Sequence, residues 1–470
     1  MKRTTIILFM LLSCKFSFSQ DSNITLSVND FLQIVKQFHP VAKQASLKED
    51  MARAGVTIAR WGFDPLLNIN GGNKTFDGIN YYQHQSGSLT IPTWYGIEIN
   101  TGVEYLNGSR TDPQETTGKT SFAGVTVPLG KNLLMDKRRA ALRQSKIMLQ
   151  ASEQEKRAML NDLMMDAASA YWNWVQSYLI YNTFSDVIAI NKKRVLLVVL
   201  AYRNGDRAAI DTTEVLTQLQ QFEYQQNEAL LEWQNATVNL NTFLWKENNT
   251  GYELPASVLP DKKKEALYDG VIFPELETLI ASARKTHPDL NIYNYKLNAL
   301  DIDKKLKFQE LLPKLDLKYN QLGKGYNITS TTARSLFDNN YVFGLNFSVP
   351  LRLSQGRGEY KLAKLKIIET GLQQRNKETE IINKVKAYYN QLVNYKAQVN
   401  LLQKTYSNYQ VLQRGEETRF FNGESTLFLI NIRENKALET LIKLTETAVK
   451  YNKTLMSLQW AGGQLWQNYL

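Results

Sequence analysis

Residues 131–204 begin KNLLMDKRRAALRQSKIMLQ and end INKKRVLLVVLAYRN, and the 74 positions between Gly130 and Gly205 hold neither glycine nor proline. Those two residues are the usual helix breakers, so nothing interrupts a helix here. At 1.5 Å per residue such a helix runs roughly 110 Å, whereas globular helices average about 11–12 residues. The run closes on Tyr202-Arg203-Asn204-Gly205-Asp206. The same punctuation returns 218 positions later as Phe420-Phe421-Asn422-Gly423-Glu424, again after a long helical run. Two such helices with matching ends make the chain a duplicated object.

Working outward, more pairs appear. Ala170-Tyr171-Trp172-Asn173 lines up with Ala387-Tyr388-Tyr389-Asn390, Val127-Pro128-Leu129 with Val349-Pro350-Leu351, and His39-Pro40 with His287-Pro288. The offsets are 217, 222 and 248, so the halves differ by 26 residues between the His-Pro and Pro-Leu motifs. That is strand territory, where loops tolerate insertion.

Residues 26–62 read as helix, with Asn29 or Asp30 as the N-cap. From Pro65 the apolar period changes to two. Leu67 and Ile69 alternate with Asn68 and Asn70, Ile97 to Tyr105 with Glu98 to Glu104, and Ala123 to Leu129 with Gly124 to Pro128. Such strands have one apolar and one polar face. Residues 75–84 and 107–120 read as loops. A second helix runs from Asp211 to about Lys246, and residues 248–274 are a linker. In the second half, residues 274–307 read as helix. Leu315, Leu317 and Tyr319 then mark one strand and Tyr341 to Leu351 another. The first half has two strand candidates more, near residues 87–106. The domain reading is 1–19 signal peptide, 20–250 first repeat, 251–273 inter-repeat linker and 274–470 second repeat.

The 470 residues are 43% hydrophobic and carry a formal charge of +11. Lys and Arg are spread along helical faces with Glu interleaved and form no basic block, which argues against a nucleic-acid partner. Lys2-Arg3, the apolar run Ile6 to Leu12 and Ser17-Phe18-Ser19 compose a secretory signal. Its removal leaves about +8 and takes away Cys14, the single cysteine. Leu11-Leu12-Ser13-Cys14 leaves lipidation of Cys14 open. No later stretch holds 18 consecutive apolar residues, so no transmembrane helix is expected. A secreted chain can still cross a bilayer as a closed β-barrel.

Each half thus reads helix, strand hairpin, long helix, tight corner, helix. In that order, with the paired His-Pro, Val-Pro-Leu and Asn-Gly motifs, essentially the whole mature chain resembles the TolC-like outer-membrane efflux proteins (outer membrane factors). The resemblance implies a mixed α and β membrane protein. It implies a homotrimer sharing one β-barrel of transmembrane strands in outer-membrane lipid of a Gram-negative cell. Below that barrel it implies a long, coiled-coil-like periplasmic α-helical barrel, with residues 251–273 in an equatorial region. The corners Asn204, Gly205, Asp206 and Asn422, Gly423, Glu424 would form the periplasmic tip that meets an adaptor protein and an inner-membrane RND or ABC transporter. As plain turns, the same residues suit a left-handed backbone.

Asp211 and Glu214 share a helix face past the first corner. The resemblance makes them candidates for lining the entrance, while a solvated helix start also favours acids. Counting from the second corner, Leu429 and Ile432 stand in their places. His39, His84 and His287 lack a converging third ligand, and no metal or cofactor is expected. No catalytic constellation or phosphate-cradling glycine motif is present, so the chain reads as no enzyme and energy must come from a partner. Tyr171, Trp172, Trp174, Tyr388 and Tyr389 read as helix packing, with a duct lining as the other option. Tyr81, Tyr82, Trp94, Tyr95 and Tyr341 are candidates for a membrane-interface girdle. The functional expectation is an outer-membrane exit duct of a tripartite efflux system, conducting passively. A type I protein secretion duct or a non-pore periplasmic scaffold are the alternatives. Substrate, pump, adaptor and gate constriction are not specified by the sequence.

Overall fold

The computed structural model describes residues 24–112, 114–260, 274–329 and 339–469. The expected signal segment with Cys14, and linker residues 261–273, lie outside the described residues. In order the chain forms β1 (Ile24–Leu26), α1 (Val28–Phe38), α2 (Pro40–Arg60), a 3-10 turn (Trp61–Phe63), β2 (Leu66–Phe76), β3 (Ile79–Pro92), β4 (Glu98–Asn107) and β5 (Gly118–Pro128). There follow α3 (Lys137–Arg203), α4 (Ala209–Asn241), β6 (Val258–Pro260), α5 (Leu276–Thr286) and α6 (Pro288–Gln309). The chain ends with β7 (Lys314–Lys324), β8 (Tyr341–Ser348), α7 (Ser354–Phe421), α8 (Leu427–Ala461) and a 3-10 turn (Leu465–Tyr469). Helix α3 has 67 residues and α7 has 68.

The chain divides into two compact units, each discontinuous in sequence. One holds Met1–Val35, Ala167–Val271 and Gln398–Lys450, the other Lys36–Asp166, Ile272–Ala397 and Tyr451–Leu470. In the first unit, Tyr171, Trp174, Val175 and Tyr178 of α3 are buried. Their spacing of three and four places them on one helical stripe. Phe31 stacks on Tyr171 at 5.6 Å, and the Tyr171 hydroxyl donates to the Leu26 carbonyl at 2.8 Å. Trp172 is also buried, so these aromatics pack the helices. β1 pairs in parallel with β6 in the same unit.

The second unit holds an antiparallel sheet of six strands, in the order β2-β3-β4-β5-β7-β8. Directly paired residues share a face. Leu67 pairs with Leu89, Ile91 with Ile99, Ile99 with Val125, Val125 with Tyr319, and Tyr319 with Phe343. This face is apolar and open to solvent: Ile69 is 78% exposed and Phe347 60%. The opposite face carries Asn68, Ser88, Thr90, Asn100, Lys318 and Asn346. On it, Thr90 Oγ1 donates to Asn100 Oδ1 at 3.2 Å and Asn100 Nδ2 to Thr126 Oγ1 at 3.0 Å. His84 Nε2 meets Glu104 Oε1 at 2.5 Å on the same side. A water-soluble domain turns its apolar sheet face inward; this sheet turns it outward.

Several sequence expectations need correction. Residues 75–84 are not a loop. They belong to β2 and β3, which join through a two-residue turn at Asp77 and Gly78 with φ of 54° and 74°. Val349-Pro350-Leu351 lies beyond β8, which ends at Ser348, because Pro350 has no N–H to give a ladder. The first helix splits at His39-Pro40, and its cap is Ser27 rather than Asn29 or Asp30. The Asp30 amide donates to Ser27 Oγ at 3.2 Å, and Ser27 Oγ donates to the Asp30 carboxylate at 2.6 Å. The two His-Pro motifs do one job twice. His39 Nδ1 accepts from the Val41 amide and His287 Nδ1 from the Asp289 amide, both at 3.2 Å, with proline at the first helical position.

Candidate functional site

Both helix corners lie in the first unit and share one backbone geometry. At the first, the Asp206 amide donates to the Ala201 carbonyl at 2.9 Å and the Gly205 amide to Tyr202 at 3.0 Å. At the second, Glu424 donates to Arg419 at 2.8 Å and Gly423 to Phe420 at 3.1 Å. Gly205 and Gly423 have φ of 80° and 76°. This double pattern, with glycine left-handed just past the helix, satisfies the last carbonyls and turns the chain sharply. Asn204, Gly205, Asp206, Asn422, Gly423 and Glu424 are all exposed.

The corners also touch each other. Arg207, just past the first, lays its guanidinium over the Phe420 ring at 4.0 Å and donates to the Phe420 carbonyl at 3.4 Å. Val198, Val215, Phe420, Leu427 and Ile430 form a buried cluster below them. Beside it is a largely apolar cavity of about 370 Å³ lined by Leu197, Ala201, Phe420, Phe421 and Ile430, with Arg194, Arg207 and Glu417 also in its wall. Phe421 remains 78% exposed.

One turn further along lies a buried ionic knot. Arg194 grips Glu434 with two bonds, Nη1 to Oε2 at 2.6 Å and Nη2 to Oε1 at 3.2 Å. Asn191 Nδ2 donates to Glu434 Oε1 at 3.1 Å, and Glu417 stands 3.5 Å from Arg194. Glu416 accepts from Ser425 and faces Arg433 at 3.7 Å. At the matching offset of 218, the first half has Val198, Val199, Val215 and Leu216 in place of Glu416, Glu417, Arg433 and Glu434. The halves have therefore diverged below the corners. Only a comparison of half against half carries that signal; pattern reading missed it.

Asp211 sits in the first turn of α4, and Glu214 one turn on accepts from Asn431 Nδ2 at 3.1 Å. Glu214 is therefore tied to α8 rather than loose. Together with Thr213, Gln218, Asn431, Ile432 and Asn435 it lines a groove of about 840 Å³ between α4 and α8. Neither Asp211 nor its second-half counterpart Leu429 lines that groove, whereas Ile432, the counterpart of Glu214, does.

In the second unit, a clasp ties strands to helix. The Arg139 guanidinium, at the start of α3, donates to the carbonyls of Tyr95, Asn132 and Leu133 and to Asp136. Gly96, with φ of 85°, lies so close that a Cβ would come within 2.7 Å of Arg139 Nη2. Arg138 Nη2 donates to Glu98 Oε1 at 2.9 Å, and Trp94 stacks on Phe63 at 4.2 Å. The turn between β3 and β4 is thus fixed to the helix end of the sheet. Trp94 and Tyr95 lie at that end, and Tyr81 and Tyr82 near the other.

Residues 279–429 match the family model described as Outer membrane efflux protein. No curated protein matches the chain. Among solved structures, a membrane protein from Pseudomonas aeruginosa is 14% identical with a TM-score of 0.66, covering 93% of this chain and 92% of that one. The open state of the Neisseria gonorrhoeae MtrE outer membrane channel is 14% identical with a TM-score of 0.65, covering 93% and 89%. The Campylobacter jejuni CmeC outer membrane channel is 15% identical with a TM-score of 0.63, covering 93% and 85%. At such identities the likeness is one of fold. The chain shares with these channel structures a fold of long paired helices joined to an antiparallel sheet. The family match covers residues 279–429, and over that stretch the chain is similar to the outer membrane efflux proteins. No described helix is long and apolar enough to cross a membrane.

Proposed function

We propose that three copies of this chain form the exit duct of a tripartite efflux system, fed by an inner-membrane RND or ABC transporter through a periplasmic adaptor. The observation that carries this reading is the two-faced sheet. Its solvent-open apolar face suits lipid and its Asn, Ser and Thr face suits a water-filled lumen. In hydrocarbon an open sheet edge is not tolerated, so the sheet needs neighbouring copies to close it. Three copies would complete a barrel in the membrane, and the long helices would pack with their counterparts in neighbouring copies.

In this reading Asn204, Gly205, Asp206, Asn422, Gly423 and Glu424 face the adaptor. The apolar cavity beside Phe420 and Phe421 receives one of its apolar side chains. Asp211 and Glu214 help line the entrance from the first half, opposite Leu429 and Ile432. The four blocks 1–19, 20–250, 251–273 and 274–470 serve as signal, first repeat, linker and second repeat.

Detergent extraction of the envelope followed by mass determination tests the assembly, and planar bilayers test the duct. A trimer confined to the detergent-extracted outer membrane, with salt-dependent conductance, supports the reading. A soluble monomer released by osmotic shock, or a trimer silent under every salt and adaptor condition, refutes it.

A further inference from the structure

The asymmetry between the halves has a geometric outcome. β7 and β8 come from the second half, but β2, β3, β4 and β5 all come from the first. A strict duplication would give four strands per chain. We propose that the additional β3–β4 pair is part of the membrane wall, so that each chain contributes six strands and three copies build an eighteen-stranded barrel. This rests on the trimeric duct proposed above.

Three observations support the assignment. First, β3 and β4 are interior strands, not an appendage. β3 pairs with β2 and with β4 over nearly its whole length, and β4 pairs with β5. Second, both keep the two-faced pattern of their neighbours. Leu89, Ile91, Ile99 and Val103 lie on the apolar face, which Gln83 and Gln85 continue beyond Gly87, and Ser86, Ser88, Thr90 and Asn100 lie on the polar one. Third, the turn joining them is clasped at the helix end by Arg139 and by Phe63 against Trp94. A hairpin standing above the membrane would have its closing turn at the far end. Here the pair runs the full height: the 14 residues of β3, Ile79–Pro92, span about 44 Å along the strand, or about 34 Å of height at a tilt near 40°.

Closure is consistent with this count. Among the described residues, β2 and β8 are the outer strands of the sheet. With six strands alternating in direction, β8 of one copy meets β2 of the next antiparallel, so the ring closes without a parallel seam. Barrel diameter grows roughly in proportion to strand number. With strands about 4.8 Å apart and tilted about 40°, eighteen give about 36 Å between opposite backbones, against about 24 Å for twelve. A mouth this wide, lined by amides and hydroxyls with Lys318 and the His84–Glu104 pair among them, takes large hydrated cargo.

The test is single-cysteine labelling of the protein in outer-membrane vesicles, where Cys14 is either removed with the signal segment or has its thiol blocked by lipid and gives no background. Ser86→Cys, Ser88→Cys and Asn100→Cys on the polar face are compared with Leu89→Cys, Ile91→Cys and Val103→Cys on the apolar face, using a charged, membrane-impermeant maleimide. The expected result is at least tenfold faster labelling of the polar-face set, alternating along both strands. Paired cysteines, Ile69→Cys on β2 with Phe343→Cys, Leu345→Cys or Phe347→Cys on β8, should link neighbouring copies. Equal labelling of both sets, or cross-links from β8 to β4 instead of β2, overturns the six-strand wall. The particle mass separates the two failures. A trimer with non-alternating labels sinks only this inference, whereas the absence of a trimer sinks the reading beneath it.

Discussion

Replacing Glu434 by leucine tests whether the knot below the second corner holds the helices together. The Glu434 side chain is 5% exposed and its partner Arg194 14%. Removing one member of a buried ion pair costs about 3–5 kcal/mol, because the other charge stays buried without compensation. Glu417 still stands 3.5 Å from Arg194, and its side chain is 33% exposed. It offers partial compensation, so the low end of the range, about 3 kcal/mol, is expected. At 1.4 kcal/mol per factor of ten, that raises local opening about a hundredfold. Hydrogen exchange of amides in residues 190–200 and 430–438, in detergent, reads the opening locally and avoids irreversible global unfolding. The double variant Arg194→Met with Glu434→Leu removes both charges and should exchange more slowly than Glu434→Leu alone, giving a coupling of about 2 kcal/mol. If the two substitutions add within about 0.5 kcal/mol, the knot is not a coupled unit and the reasoning fails.

Three further outcomes are expected. Gly205→Ala and Gly423→Ala force a Cβ into left-handed backbone and should each destabilise their corner by about 1–2 kcal/mol, read by limited proteolysis at residues 202–208 or 420–426. Arg139→Leu orphans the carbonyls of Tyr95, Asn132 and Leu133 and should sharply lower the yield of assembled particle on native gels; wild-type yield would contradict the clasp. Burial holds the His287 imidazole below its ordinary value, with Lys377 and Lys384 adding repulsion and Asp289 and Asp162 opposing. The unfolded chain then takes the proton first, so stability is full above about pH 6.5 and declines as pH falls below it. His287→Asn, which keeps a capping side chain, should flatten that decline in thermal melts between pH 7 and 5.5.

Much of the architecture was legible because the chain states it twice. Asn204-Gly205 and Asn422-Gly423 announced turns whose left-handed glycines the backbone then required. The alternation at 97–105 and 341–348 announced strands with two different solvents. Residues 75–84 resemble a loop because this stretch of strand is polar on both faces, His84 on one and Gln83 and Gln85 on the other. Asn80, Gln83, His84 and Gln85 look like a loop until their partners are known. The decisive signal was Asp77-Gly78 between Phe76 and Ile79, a strong two-residue hairpin pattern. The knot of Arg194, Asn191 and Glu434 left no such trace. Its partners lie about 240 positions apart, and each reads as a solvated helical charge until the helices are packed together.

The two-faced sheet also constrains how the protein is made. Its apolar face is poorly suited to water, and its outer strands are poorly suited to lipid. A lone chain therefore has no comfortable medium for this unit once the strands have paired. Under the proposed trimer, strand pairing, bilayer entry and union with sister chains become one concerted event. The newly exported polypeptide must be kept unpaired on its way across the periplasm, and the rate of biogenesis should depend on how many sister chains arrive together.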